Sequence, residues 1–189
     1  MSNSIKFNPQ KLAKLNNPER FKTLNPDKIW CALNFQKPQI LVDIGAGTGF
    51  FATAFSSKLQ NGKIYACDTS DVMIQWMQEN ITDEKIIPFQ TSENAINLPD
   101  SKADLVYMIN VHHELLEPEK ILAEAYRLLN IKGKIAIIDW KAEPMNEGPP
   151  ENIRISDKVV IEQLDRIGFK NIKTQEILPL HFLLLVKNN

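Results

Sequence analysis

The stretch Ile40-Leu-Val-Asp-Ile-Gly-Ala-Gly-Thr-Gly-Phe50 constrains this chain more than any other. It opens as an apolar, β-branched run from Ile40 to Ile44, broken only by Asp43. Glycines follow at 45, 47 and 49, and the chain continues into Phe51-Ala-Thr-Ala-Phe55, which has helical spacing. A buried parallel strand reads as a short apolar run. Alternate glycines let the backbone turn sharply and approach a ligand closely. A helix that starts there aims its unpaired N–H groups at the same point. The stretch therefore predicts strand, glycine loop and helix, with a ligand at the loop.

The rest of the chain repeats that unit. Upstream, Pro9, Pro18 and Pro26 punctuate two short helical patterns, near Gln10–Leu15 and Asp27–Leu33. Asn25-Pro26 supplies a cap followed by proline at the first helical position. Residues 1–36 thus predict a helical cap that packs on the sheet or lies over its ligand edge, packing being the simpler reading. The helix after the glycine loop is expected to reach about Leu59, and Asn61-Gly62 to turn. Lys63–Cys67 predicts a second strand with Asp68 at its carboxyl end, and Ser70 or Asp71 caps a helix through Met73, Trp76 and Met77. Lys85–Gln90 predicts a third strand, peripheral because Pro88 cannot donate to a ladder. Ala103–Ile109 is the fourth. Pro118 starts an amphipathic helix through Ile121, Leu122, Ala125, Leu128 and Leu129, ended by Lys132-Gly133, and Lys134–Asp139 is the fifth strand. This β–α repetition calls for a parallel sheet with helices on both faces. Residues 141–155, with Pro144, Gly148, Pro149 and Pro150, predict a long lid-like loop. Ser156 caps a last helix to Ile167, which Gly168 closes. Phe169–Ile177 and Leu180–Lys187 predict an antiparallel hairpin at the sheet edge. The fold class is α/β: one doubly wound, Rossmann-like domain of seven strands over residues 1–189.

Charge narrows the partners. The 22 Lys and Arg nearly balance the 23 Asp and Glu, which leaves no electrostatic footprint for nucleic acid or an anionic membrane. The first 28 residues are locally basic (Lys6, Lys11, Lys14, Arg20, Lys22 and Lys28 against Glu19 and Asp27), which reads as a solvated helix face. The apolar run Leu178–Val186 contains Pro179 and His181 and is too short to span a bilayer. The opening residues lack the apolar core of a signal peptide. Cys31 and Cys67 sit in no metal-ligand spacing and make no disulfide scaffold, so both read as reduced cysteines of a cytoplasmic protein.

Glycine-rich βα turns serve several cofactors, and the spacing discriminates among them. A dinucleotide turn wants G-x-G-x-x-G. Counting from Gly45 puts Phe50 where the third glycine belongs, so the pattern here is G-x-G-x-G. A P-loop needs G-K-[ST], which is absent. Asp68 ends the neighbouring strand, beside the glycine loop in a doubly wound sheet. A carboxylate there accepts from two vicinal ribose hydroxyls at once; its structural alternative is a cap on the following helix.

These residues resemble the class I S-adenosylmethionine-dependent methyltransferases, especially the small-molecule group related to the ubiquinone/menaquinone and arsenite methyltransferases. Val42-Asp-Ile-Gly-Ala-Gly-Thr-Gly49 is similar to the family's first motif, around the methionine part of the cofactor. Asp68 matches its ribose-binding acidic residue and Met73 its apolar contact to adenine. Ala95-Ile-Asn-Leu-Pro99 looks like its A-x-x-L-P segment, preceded here by Asn94 in place of the usual Asp. Asp104-Leu-Val-Tyr-Met-Ile-Asn-Val-His-His113 resembles the fourth motif, whose end borders the substrate, and Ile131-Lys132-Gly133 replaces the usual P-G-G turn. The resemblance implies the strand order 3-2-1-4-5-7-6 with strand seven antiparallel. It implies S-adenosyl-L-methionine as cofactor and S-adenosyl-L-homocysteine as product. The cofactor site it implies is Asp43, Gly45, Ala46, Gly47, Gly49, Asp68, Thr69, Met73, Asn94, Ala95, Asn110 and Val111.

Methyl transfer from a sulfonium is a direct displacement, so the protein mainly aligns the reactants. A base is needed only for an acceptor that is protonated at working pH. The catalytic candidates are His112 and His113, which follow strand four; alternation at a strand end points only one of them into the cleft. The substrate candidates are His112, His113, Trp140, Arg154 and His181, with Glu114 as a partner for either histidine and no metal site. The expected function is methyl transfer to a small-molecule acceptor, whose identity and reacting atom stay open, as does the oligomeric state. A cofactor-binding regulatory or scaffold protein without turnover is the alternative. A nicotinamide-dependent reductase fails on Phe50. Nucleic-acid methylation lacks the N-P-P-Y strand end, and arsenite methylation lacks a cysteine set, because Cys31 precedes strand one and Cys67 lies in strand two.

Overall fold

The computed structural model describes residues 12–35 and 37–188. Gln10 and Lys11 of the first helical pattern lie outside these, as does the remainder of the chain before Leu12. Three short helices open the described chain: α1 (Leu12–Leu15), α2 (Arg20–Thr23) and α3 (Pro26–Leu33). Helix α2 was not expected, because its four residues between Pro18 and Pro26 carry no periodic pattern. Helix α3 starts as the sequence predicts: the Asn25 side chain accepts from Lys28 N, with Pro26 at the first helical position.

The α/β alternation follows as β1 (Ile40–Ile44), α4 (Phe50–Ser56), β2 (Lys63–Asp68), α5 (Asp71–Asn80), β3 (Ile86–Gln90), β4 (Ala103–Ile109), α6 (Pro118–Leu128), β5 (Leu129–Trp140), α7 (Asp157–Ile167), β6 (Lys173–Thr174) and β7 (His181–Lys187). The sheet order is β3-β2-β1-β4-β5-β7-β6, with β7 antiparallel to both neighbours and the other pairings parallel. Strand β3, with Pro88, is an edge strand as predicted.

Several boundaries differ from expectation. Helix α4 stops at Ser56, three residues short of Leu59. Helix α6 stops at Leu128, and Lys132-Gly133 lies inside β5 rather than ending the helix. The extra length arises because Leu129 already pairs with Ala103, before a register shift brings Lys134 opposite Leu105. Strand β6 is only two residues long, so the closing hairpin is lopsided.

Both sheet faces are covered. Along β4, Leu105, Tyr107 and Ile109 pack into one core cluster with Phe51, Phe55, Ile74 and Met77 from α4 and α5. Val106 and Met108 pack into the other, with Leu122, Ala125 and Leu164 from α6 and α7. This period-2 division is what a strand buried on both faces requires. It leaves the carboxyl ends of β1, β2, β4 and β5 open to one edge, where the loops gather.

Candidate active site

The glycine loop is held by its neighbours. Gly45 N and Ala46 N both donate to Cys67 O at 2.9 Å, and Gly47 N donates to Asp68 Oδ2 at 2.7 Å. Gly45, Gly47 and Gly49 have φ of 71°, 58° and 70°, the left-handed region that only glycine enters freely. At Gly45 space is also decisive: an added Cβ would lie 2.6 Å from Val111 Cγ2 and 2.7 Å from Cγ1. Gly45→Ala should therefore cost about 2–4 kcal/mol in urea unfolding, backbone strain plus overpacking. Gly168→Ala, with φ of 111° and nothing within 4 Å of the added atom, meets the strain alone. Equal losses at the two positions would contradict the Val111 contact.

Around this loop lies a cavity of about 630 Å³, within the size range of small-molecule sites, roughly 300–1,000 Å³. Of the expected cofactor residues, Asp43, Gly45, Ala46, Gly47, Asp68, Thr69, Met73, Asn94, Asn110 and Val111 line it. Gly49 does not; it is the N-cap of α4. Ala95 does not either: it is solvent-exposed, and its carbonyl accepts from Ser92. Ile96 lines the cavity in its place, fixed by Glu124 Oε2, which accepts from Ile96 N at 2.9 Å, and by Arg127, which donates to Ile96 O.

The polar groups fit an adenosine-bearing, cationic cofactor. Asp68 ties the glycine loop to the turn that enters α5, since Oδ2 receives Gly47 N at 2.7 Å and Oδ1 receives Ser70 N at 2.9 Å. Asn94 Nδ2 donates to Glu117 Oε2 at 2.6 Å, which leaves its Oδ1 as the acceptor end. Asn110 Oδ1 is buried with no hydrogen-bond partner among the described residues. Asp43 is 3% exposed. Burial raises its pKa to about 8; the Tyr107 hydroxyl opposes this, the Asp68 charge adds to it, and Arg20 opposes it.

The adjacent histidines diverge, as strand alternation led one to expect, although a 3₁₀ turn at His112–Glu114 produces the divergence. His113 lines the cavity. Its Nδ1 lies 2.8 Å from Asp139 Oδ1, and its backbone N donates to Asp139 Oδ2 at 3.0 Å. A carboxylate can only accept there, so Nδ1 carries the proton and Nε2 the lone pair. Burial pulls the His113 pKa down, but the hydrogen bond and charge of Asp139, helped by Glu114, outweigh it and hold the value above that of ordinary histidine. Glu114 Oε1 stands 3.8 Å from Nε2.

Three other candidates do not line the cavity. His112 is fully buried outside the cavity lining, with Nε2 2.7 Å from Gln163 Oε1; burial lowers its pKa, and it is a packed core histidine. His181 is also fully buried, behind Trp140, with ring centroids 4.1 Å apart. Burial brings its pKa down to about 4, so it is neutral. Arg154 braces the lid-like loop: its guanidinium donates to Pro149 O, Glu143 O and Glu147 O at 2.7–2.9 Å, and it lines a separate pocket on that loop, not the main cavity. Trp140 does line the cavity, with one face on His181 and Gly148 packed closely against the ring.

One contributor escaped the sequence reading. Asp139 ends β5 as Asp68 ends β2, an acidic residue closing an apolar strand, and that shared position was the available signal. The N-terminal cap, expected to pack on the sheet or to lie over its ligand edge, reaches the glycine loop itself. Thr48 Oγ1 donates to Asn16 Oδ1 at 2.8 Å, and Phe21 stacks on Phe50 at 4.4 Å. Short proline-broken segments carry no pattern that foretells such contacts. Among the described residues, no group of three or more His, Cys, Asp or Glu side chains is placed to hold a metal ion, and no helix is long and apolar enough to cross a membrane.

A sheet of order 3-2-1-4-5-7-6 with a glycine loop after β1 and an acidic residue ending β2 defines a class I methyltransferase, and the family comparison agrees. The Methyltransf_11 methyltransferase-domain family matches residues 42–137, and the chain belongs to this S-adenosylmethionine-dependent family. Over its whole length it is 30% identical to a SAM-dependent methyltransferase from Aquifex aeolicus, with a TM-score of 0.92 and coverage of 97% of this chain and 100% of that one. It is 26% identical to malonyl-[acyl-carrier protein] O-methyltransferase 1 of Ilyobacter polytropus over 156 residues, 78% of this chain and 58% of the relative. It is also 26% identical to the ubiquinone/menaquinone biosynthesis C-methyltransferase UbiE of Hydrogenovibrio crunogenus over 106 residues, 53% and 42% respectively. The chain thus spans about half the length of these two curated relatives.

Proposed function

We propose that this protein transfers a methyl group from S-adenosylmethionine to a small-molecule acceptor, with His113 as the base for an acceptor that carries its own proton. The observation that carries this reading is the single cavity lined by Asp68, the glycine loop and His113. When bound, the cofactor supplies an activated methyl on a cationic sulfonium. Asp68 and Asn94 hold the adenosine end, Asp43 faces the charged tail, and Trp140 with the 147–149 segment walls the acceptor end. Asp139 fixes the His113 tautomer that keeps Nε2 free to take a proton. That role favours an O–H or N–H acceptor. The two free cysteines, Cys31 and Cys67, support a reducing, cytoplasmic setting.

Asp68→Ala should weaken S-adenosylhomocysteine binding by about 1.5–3 kcal/mol, the value of charge-assisted hydrogen bonds; titration calorimetry reads it, and an unchanged affinity removes Asp68 from the site. Turnover is tested by incubating the purified protein with methyl-labelled S-adenosylmethionine and a cell extract and searching for labelled product by mass spectrometry. A labelled small molecule that disappears in the Asp68→Ala control is the expected result. Cofactor binding with no labelled product in any extract would instead favour a binding protein without turnover.

A further inference from the structure

Charge is unevenly distributed around the cavity. Its two cations, Lys14 and Arg20, both come from the N-terminal cap. Arg20 lies over the Phe50 ring, 5.0 Å from its centroid, which keeps it at the glycine loop. The acceptor end, around His113 and Trp140, holds carboxylates instead. Glu114 Oε1 is 3.8 Å from His113 Nε2. Glu147 lies on the lid-like loop, next to Gly148, whose added Cβ would come 2.7 Å from Trp140 Cε3. The cations nearest this end in sequence are committed elsewhere. Lys141 pairs with Glu176 at 3.5 Å, and Arg154 donates to three loop carbonyls and lines a separate pocket. Behind Trp140, His181 adds no charge, since burial brings its pKa down to about 4.

Hydrogen-bonding capacity points the same way. Asp139 takes the Nδ1 proton of His113, which leaves Nε2 as an acceptor on a side chain only 5% exposed. Nε2 has no hydrogen-bond partner among the described residues. The Glu114 carboxylate also only accepts. These two acceptors, 3.8 Å apart, can both be reached by one nitrogen at about 2.9 Å from each. An ammonium brings three N–H donors and no acceptor. A hydroxyl brings one donor and leaves one of the two acceptors unserved. A carboxylate or phosphate brings none, and would stand among like charges with no cation beside it.

We propose that the methyl acceptor is a small amine, bound as its ammonium between His113 Nε2 and the Glu114 carboxylate, with Glu147 facing its charge from the lid-like loop. The inference rests on the methyl-transfer reading above and narrows its acceptor from O–H or N–H to N–H. His113 Nε2 takes one proton from the ammonium. The lone pair this frees on nitrogen forms the N–C bond as the methyl–sulfur bond breaks, and that bond's electron pair stays on sulfur. A positive sulfur beside the amine favours loss of its proton. Glu114 then offsets the charge on the His113 imidazolium. The product leaves as an N-methylammonium, and the proton passes from Nε2 to water.

Binding is tested without turnover by saturating the full chain with S-adenosylhomocysteine and equilibrating it with a deproteinised cell extract. Compounds retained with the protein on ultrafiltration, identified by mass spectrometry, should carry a primary or secondary amine. Glu114→Gln keeps the shape and removes the charge. It should retain about 10- to 100-fold less of the same compound, the equivalent of one charge-assisted contact. Its affinity for S-adenosylhomocysteine should change by less than about twofold. With methyl-labelled S-adenosylmethionine, the retained compound should gain its label on nitrogen. Retained alcohols, carboxylates or phosphates that lack an amine overturn the proposal, as does a label on oxygen or carbon. An amine held equally well by Glu114→Gln overturns the assignment of Glu114. A chain that binds S-adenosylhomocysteine yet retains and labels nothing sinks the turnover reading itself, and the amine with it.

Discussion

Replacing His113 with alanine should slow methyl transfer to an O–H or N–H acceptor by about 100- to 10,000-fold, the usual contribution of a positioned base. Cofactor affinity should change little, because the groups expected to hold adenosine lie on β2 and around Asn94. The contrast with the preceding residue makes this specific. His112→Ala removes a buried ring and strands the Gln163 side chain that it bonds. Its cost should be in stability, about 2–4 kcal/mol, with turnover of the folded fraction nearly intact. The pH profile separates the roles further. His113 acts as a base only when neutral, so the rate should rise with pH through a value above that of ordinary histidine, because Asp139 raises its pKa. Asp139→Asn removes the charge that raises it, so the acid limb should move to lower pH. The plateau should also drop, because an amide no longer specifies the Nδ1–H tautomer. An acid limb that stays in place in Asp139→Asn would show that some other group titrates there.

Replacing Asp43 with asparagine should make the ligand-free protein more stable at pH 9 than the wild type by several kcal/mol, and little different near pH 4. The carboxyl is buried, and its pKa rises from 3.8 to about 8 on folding. The folded protein therefore holds a proton that the unfolded chain releases, and stability falls as pH climbs from about 4 to about 8. Each unit of that shift is worth about 1.4 kcal/mol. Asparagine keeps the shape and removes the titration. The charged neighbours that set the value, Asp68 at the end of β2 and Arg20 on α2, remain in the variant, as does Tyr107 on β4. Urea unfolding between pH 4 and pH 9 measures the difference, and a gap that does not widen with pH contradicts the burial argument. The same variant should bind S-adenosylhomocysteine more weakly, having lost the partner of its ammonium. In the wild type near pH 7, binding should release close to one proton as Asp43 ionises, a quantity read by calorimetry in two buffers of different ionisation enthalpy.

The sheet was legible in the sequence because apolar runs bounded by glycine, proline and asparagine mark buried strands. Strands β1 and β4 have the boundaries that their composition predicts. The glycine loop and the strand-end Asp68 beside it were legible for the same reason: backbone geometry and strand ends are local properties. What was lost is non-local. Nothing in His112-His113 distinguishes the histidine that meets Gln163 from α7 from the one that meets Asp139 from β5. His181 sits opposite Trp140 only through the antiparallel register of β5 and β7, which buries it behind that ring. Arg154 looked available because its partners are loop carbonyls, groups that every residue carries and no motif records. Arg20 read as part of a solvated basic face, although it lines the cavity, because α2 is one turn between two prolines, too short to show a period.

Calorimetric titration of the folded wild-type chain with S-adenosylhomocysteine tests the methyl-donor assignment most directly. A one-to-one complex with a dissociation constant in the micromolar range or tighter, weakened by Asp68→Ala, is the predicted result. A folded sample that shows no binding at ligand concentrations up to the millimolar range would contradict the assignment of this cavity to the methyl donor.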